Sequence, residues 1–174
     1  MLQIRPAQES EYPLVRGFYH ALIDAMENAE FKPGWEKDIY PAPEFLTDSI
    51  RNGDLYIGFI DEKMVSCMVL NDQYNEGYKE IQWSVDADDS DILVIHALGV
   101  APAFGRRGIA KDMVRKAIET AKERHIKAIR LDVLGGNIPA IKAYTKMAFQ
   151  HMGTVQMFYE DTGTTSFDLF EYIL

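Results

Sequence analysis

The sequence predicts one α/β domain, α+β in type, built on a mixed and largely antiparallel sheet with helices on both faces. Three observations carry that expectation. The run Ile92-Leu93-Val94-Ile95-His96-Ala97-Leu98-Gly99-Val100 has the apolar continuity of a buried strand. A loop, Gly105-Arg106-Arg107-Gly108, then leads into a segment where Ala110, Met113, Val114, Ala117, Ile118 and Ala121 recur at helical spacing. The other strand-like runs fall mostly into hairpins, which pair antiparallel. At 174 residues, with no repeat or low-complexity tract, the chain suits a single domain over 1–174.

The elements follow in order. Gln3 to Arg5 reads as a first strand, and Ser10 as the N-cap of a helix running to about Asn28. Leu14, Val15, Phe18, Leu22, Ala25 and Met26 form its apolar face, and Pro13 is tolerated in its first turn. Phe31 to Pro43 is irregular and rich in aromatic residues and proline. A second helix covers Pro43 to Arg51 and stops near Asn52-Gly53. Asp54–Ile60 and Met64–Leu70 read as a hairpin about Asp61-Glu62-Lys63. Lys79–Val85 reads as a third hairpin strand, with Ile81, Trp83 and Val85 on one face. The acidic Asp86–Asp91 stretch lacks the glycine and terminal glutamate of an EF-hand, so it reads as a solvated turn and no metal is expected. Beyond the central strand and helix, Ile129, Leu131 and Val133 alternate in a strand over Lys127–Leu134. Gly135-Gly136 breaks it, and Asn137 and Pro139 open a helix through about Met147. Thr154–Glu160 and Thr165–Tyr172 read as a closing hairpin.

Composition narrows the function. A net charge of −9 argues against general nucleic-acid binding. No apolar run nears the roughly 20 residues that span a bilayer. Met1-Leu2-Gln3-Ile4-Arg5-Pro6 has no signal-peptide pattern, and the single cysteine, Cys67, lies in an apolar run. The expectation is a cytoplasmic protein with a buried thiol and no membrane partner. The charge is uneven. Arg106 to Lys146 holds eleven Lys/Arg against four Asp/Glu, a local +7 that leaves −16 on the remainder. A basic segment suits a polyanionic cofactor; the acidic remainder attracts a cationic amine or simply serves solubility.

The Gly/Arg loop meets a helix N-terminus, where unpaired N–H groups and the helix dipole favour a phosphate or pyrophosphate. It lacks the Gly-Lys-Ser/Thr of a Walker loop and the three glycines of a dinucleotide fingerprint. It resembles motif A of the GNAT superfamily of acyl-CoA-dependent N-acetyltransferases. In that resemblance Leu98, Gly99 and Val100 hold the pantetheine arm. Arg106, Arg107, Gly108, Ile109, Ala110 and Lys111 form the pyrophosphate loop. Gly108 and Ala110 match the last two fixed positions of Q/R-x-x-G-x-G/A, while Gly105 stands where Gln or Arg is usual. Asn137, Ala140, Tyr144 and Ala148-Phe149 resemble motif B, with Ala148 in place of the usual glycine.

The resemblance implies acetyl-CoA as acyl donor and direct attack by a primary amine of a small molecule or peptide. It makes Tyr144 the acid that protonates the departing thiolate, with Asn137 beside the cofactor. The family's usual strand glutamate corresponds to Val94. His96 lies two residues on, and its ordinary pKa near 6.5 suits a base; Glu80 or a water chain are the alternatives. Trp35, Tyr40, Tyr78 and Trp83 are the expected acceptor-binding residues. A non-catalytic acyl-CoA sensor, ribosomal-protein acetylation and a homodimer stay open at this point.

Overall fold

The computed structural model describes residues 1–174. It has seven strands: β1 (Gln3–Pro6), β2 (Leu55–Ile60), β3 (Lys63–Asn71), β4 (Ile92–Val100), β5 (Ala128–Leu134), β6 (Gln150–Tyr159) and β7 (Gly163–Ile173). Four helices accompany them: α1 (Tyr12–Ala25), α2 (Pro43–Arg51), α3 (Ile109–Glu123) and α4 (Ile138–Lys146). The strands form one sheet in the order β1-β2-β3-β4-β5-β7-β6. Every neighbouring pair is antiparallel except β4 and β5, which run parallel with α3 as their crossover.

On one face, Met113, Val114 and Ala117 of α3 pack on Val65, Met68, Leu93, Ile95 and Leu131. On the other, Val15 and Tyr19 of α1 and Leu46 and Ile50 of α2 cover Leu55, Ile57 and Cys67. The Cys67 thiol is fully buried, and burial pushes its pKa up to about 12, so it is an inert packing group.

No helix covers the β4-β5-β7 half of that second face, and here the structure corrects the sequence reading. Lys79–Val85 is not a strand. A 3₁₀ turn over Glu76–Glu80 and an irregular stretch replace it, and β3 pairs directly with β4. The aromatic spacing is real, but its partner is the sheet face. Tyr78 packs with Ile92, Val94, Phe167 and Leu169, and Ile81 and Trp83 lie against the same cluster. Smaller differences occur at helix starts. A 3₁₀ turn over Glu9–Glu11 precedes α1, so Ser10 is not its cap, and α1 ends at Ala25. Asn137 stands at the N-cap position of α4 without a side-chain capping bond.

A buried ion pair holds the irregular segment down. Arg130 and Glu171 are opposite residues of β5 and β7, with Nε–Oε2 at 3.0 Å and side chains 7% and 0% exposed. Arg130 also donates to the Val85 carbonyl at 2.7 Å, and its guanidinium carbon lies 4.2 Å from the Trp83 ring centre. The Ser84 N–H donates to Glu171 Oε1 at 2.9 Å. Removing one partner strands the other charge in the core, which costs about 3–5 kcal/mol, whereas replacing both with apolar groups is far milder. Arg130→Met should therefore lower unfolding stability by about 3 kcal/mol, and adding Glu171→Leu should restore much of it. Urea titration of both variants checks this; a double mutant no better than the single would refute it.

Candidate functional site

The site begins as a fault in the sheet. β4 and β5 pair only at Ile92↔Ala128, Leu93↔Ile129 and Val94↔Arg130, although both strands continue. On the other side of β4, Cys67 faces Gly99 and Val69 faces His96, so Ala97 and Leu98 oppose Met68 alone. That is a β-bulge, which bends a strand and strengthens its twist. Ala97 sits at φ 49° within it, and the buried Tyr19 hydroxyl donates to the Ala97 carbonyl at 2.8 Å. The strands part beyond Val94 and Arg130.

At one end of β4 lies the Gly/Arg loop. The N–H groups of Arg106 to Lys111 make no backbone hydrogen bond, and Asp112 is the first in the run to bond back, to Gly108. Gly108 is the N-cap of α3 at φ 81°, and Arg106 has φ 63°. This run of free donors at a helix N-terminus fits a diphosphate. Arg106, Arg107 and Lys111 are exposed without acidic partners; Arg107 lies 5.1 Å from the Phe104 ring centre. Leu98 and Val100 pack toward α3. Gly99 faces α1, where a Cβ would come within 2.6 Å of Leu22 and 3.5 Å of Trp35. Its bare backbone is what lets Leu22 and Trp35 sit against β4.

The gap opens into a cavity bordered by β4, β5, α4, the Pro33–Tyr40 segment and the β6–β7 turn. Of the expected residues, His96, Leu98, Asn137, Tyr144, Trp35 and Tyr40 line it. Tyr78 and Trp83 do not. Tyr78 is buried and Trp83 is stacked on Arg130, so their expected acceptor contacts give way to packing roles. Glu80 is exposed at the end of its 3₁₀ turn and is also outside the cavity wall.

Tyr144 packs edge-on to Phe149, ring centres 5.6 Å apart. Its hydroxyl has no partner within the protein and is not sealed from the cavity. Burial, with the Asp132 charge, raises its pKa, so it stays protonated and can donate. His96 differs from its expected state. Asn71 Oδ1 accepts from the Gln73 N–H at 3.0 Å and lies 2.8 Å from His96 Nε2. The acceptor role of Oδ1 requires the proton on Nε2. Burial lowers the His96 pKa to about 4, which takes its titration out of the neutral range and makes it a weak base.

Three cavity residues escaped the sequence reading: Asp132 on β5, Tyr159 on β6 and Asp161 in the β6–β7 turn. Asp132 Oδ2 accepts from Tyr78 at 2.7 Å and from Tyr159 at 2.9 Å. Burial raises the Asp132 pKa, against the two tyrosine donors that lower it. The signal was present. A carboxylate inside Ile129-Arg130-Leu131-Asp132-Val133 alternates onto the face opposite α3.

No helix is long and apolar enough to cross a membrane, and no group of three or more His, Cys, Asp or Glu is placed to hold a metal. The family model described as the acetyltransferase (GNAT) family matches residues 18–149. Among curated proteins, streptothricin acetyltransferase of Streptomyces lavendulae is 35% identical over 72 residues, 41% of this chain and 38% of that protein. Streptothricin acetyltransferase of Escherichia coli is 26% identical over 111 residues, 64% of this chain and 55% of that protein. The chain thus spans about 38–55% of the length of these relatives. Among solved structures, a GNAT-family acetyltransferase of Streptococcus agalactiae superposes with a TM-score of 0.81 at 20% identity, covering 99% of this chain and 95% of that one. Arabidopsis thaliana NAA60 in complex with acetyl-CoA gives 0.70 at 19% identity, covering 100% of both chains. At these identities the likeness is one of fold.

Two measurements test the site. Gly108→Asp places a carboxylate among the free N–H groups, with space for it and a backbone conformation that Asp tolerates better than most residues. Calorimetry should show acetyl-CoA binding lost while the circular dichroism spectrum is kept; unchanged affinity would refute the cradle. For His96, the unfolded chain binds the proton more tightly than the folded one. Its contribution to stability is present above 6.5 and is lost as pH falls toward 4. Relative to wild type, His96→Gln should therefore lose less stability over that acid range; parallel loss in both proteins would return His96 to ordinary titration.

Proposed function

The chain belongs to the acetyltransferase (GNAT) family, and on that premise we propose that it transfers the acetyl group of acetyl-CoA to a primary amine by direct attack in a ternary complex. One observation carries the reading: β4, which parts from β5 beyond Val94, lines a cavity holding an unpartnered Tyr144 hydroxyl and is followed in the chain by a run of free N–H donors at Arg106–Lys111. The diphosphate of the donor suits the free donors and its thioester the cavity. The names of the two streptothricin acetyltransferases support an acetyl-transferring activity here as well.

In this proposal the acceptor nitrogen, freed of one proton, attacks the thioester carbon. The C–N bond forms, the C–S bond breaks, and the electron pair leaves on sulfur. The Tyr144 hydroxyl gives its proton to that sulfur and regains one from solvent. Backbone N–H groups of β4 beyond Val94, left without β5 partners, stabilise the oxyanion. His96, neutral and tied to Asn71, shapes the wall; the proton lost before attack, and the second that the nitrogen sheds once the C–N bond has formed, both leave through cavity water.

Tyr144→Phe keeps the ring packing and deletes the donor. General acid catalysis is worth roughly 10²–10⁴-fold, and a thiolate already leaves fairly well, so a kcat loss of roughly tenfold to a few hundredfold is expected with KM little changed. Thiol release from acetyl-CoA over a panel of amines, streptothricin included, measures it beside a melting curve. Acetyl-CoA binding without turnover on any amine would replace the enzyme with a sensor; a stable Tyr144→Phe protein with full kcat would remove the acid role.

A further inference from the structure

The acceptor end of the cavity has an electrostatic imbalance. Its lining includes two carboxylates, Asp132 and Asp161, and no lysine or arginine. The one histidine in the wall, His96, is neutral. Asp132, partly buried, is not part of any ion pair, whereas the buried Glu171 is met by Arg130. Both tyrosine bonds go to one oxygen, Oδ2. Oδ1 has no hydrogen-bond partner, yet it is not among the sealed, unsatisfied atoms, so it opens to the cavity. A half-satisfied carboxylate in a site of low dielectric calls for a cation.

The walls agree with the charge. Trp35, Tyr40 and Tyr159 form a continuous aromatic surface, with ring centres 6.3 and 5.9 Å apart along the chain of contacts. Aromatic faces attract ammonium groups, most strongly where water is excluded. Asp132 also acts electrostatically on Tyr144, which places its charge near the proposed leaving group. Asp161 contributes a second negative charge from the β6–β7 turn.

Resting on the acetyltransferase reading, we propose that the acceptor is a small cationic amine with no carboxylate beside the reacting nitrogen, its ammonium received by Asp132 and any second positive charge held by Asp161. An α-amino acid would bring its own carboxylate against these two, with nothing cationic in the wall to meet it. The same pair that attracts the amine thus excludes its carboxylated counterpart.

The test separates binding from turnover. Wild-type protein saturated with CoA is titrated by calorimetry with matched pairs, cadaverine against lysine and tyramine against tyrosine, and with a tetrapeptide bearing a free N-terminus. Each amine should bind at least about tenfold more tightly than its amino acid, and more tightly than the peptide. Asp132→Asn keeps an oxygen for Tyr78 and Tyr159 and removes the charge. It should weaken amine binding by roughly thirtyfold or more with CoA affinity and melting temperature unchanged. Asp161→Asn should weaken cadaverine more than tyramine. Equal binding within the pairs, tighter binding of the peptide, no amine binding at all, or an Asp132→Asn protein with full affinity would each overturn the proposal. Selective amine binding without thiol release from acetyl-CoA would remove the acetyltransferase reading and leave this one standing. Turnover of amino acids or peptides, indifferent to Asp132→Asn, would do the reverse.

Discussion

The parting of β4 from β5 is the constraint on which the site depends. A strand normally alternates its faces, and β4 begins that way. Leu93 and Ile95 join the α3 core, while Ile92 and Val94 face the opposite side. Continued alternation would turn Ala97 and Gly99 toward α3. The bulge inserts one extra residue, so Ala97 joins the α1 core and Leu98 and Val100 pack toward α3 instead. The two halves of β4 thus serve two programmes. The first half is ordinary sheet; the second has free backbone toward the gap and small residues, Ala97 and Gly99, under Tyr19, Leu22 and Trp35.

The cavity beside β4 is built over a part of the sheet that neither α1 nor α2 covers. The segment between β3 and β4 covers part of this face, anchored by Tyr78, Trp83 and the carbonyl of Val85. Its anchors are polar as well as apolar, because the face beneath carries Arg130 and Asp132 at successive inward positions of β5. Arg130 meets Glu171 across the strand pair and is neutralised. Asp132 faces Leu169 in the register and has no such partner, so tyrosine hydroxyls solvate it instead. One strand thereby supplies a structural charge and an available one, two residues apart.

Much of this was legible in the sequence, and the limits have physical causes. The central strand, α3, β5, α4 and both hairpins follow from apolar periods and turn residues that packing reinforces. The helix start at Gly108, with basic residues around it, was readable from the glycine and the apolar period that follows, and Tyr144 was singled out only by the resemblance to motif B. Lys79–Val85 misled because alternation reports one apolar face and not hydrogen-bonded neighbours: Ile81 and Trp83 pack partly buried against the sheet, while their backbone stays outside it. His96 misled because its residue type fixes an intrinsic pKa but not its burial. Asp132 and Tyr159 come together only through the insertion of β7 between their strands, a pairing with no local signature.

That insertion bears on how the molecule is made. β7 comes last of the seven strands in sequence, yet it lies inside the sheet, between β5 and β6. Synthesis proceeds in sequence order, so a nascent chain that has reached β6 has an open slot where the sheet will close. Until Gly163–Ile173 emerges, Arg130 lacks Glu171, and β5 presents its bare edge to any neighbouring chain. The closing step pairs residues more than forty positions apart, Arg130 with Glu171, so it is a slow, non-local event. Premature termination before this strand would therefore remove an inner plank and leave an adhesive fragment, whereas loss of β1 would strip only a short outer edge.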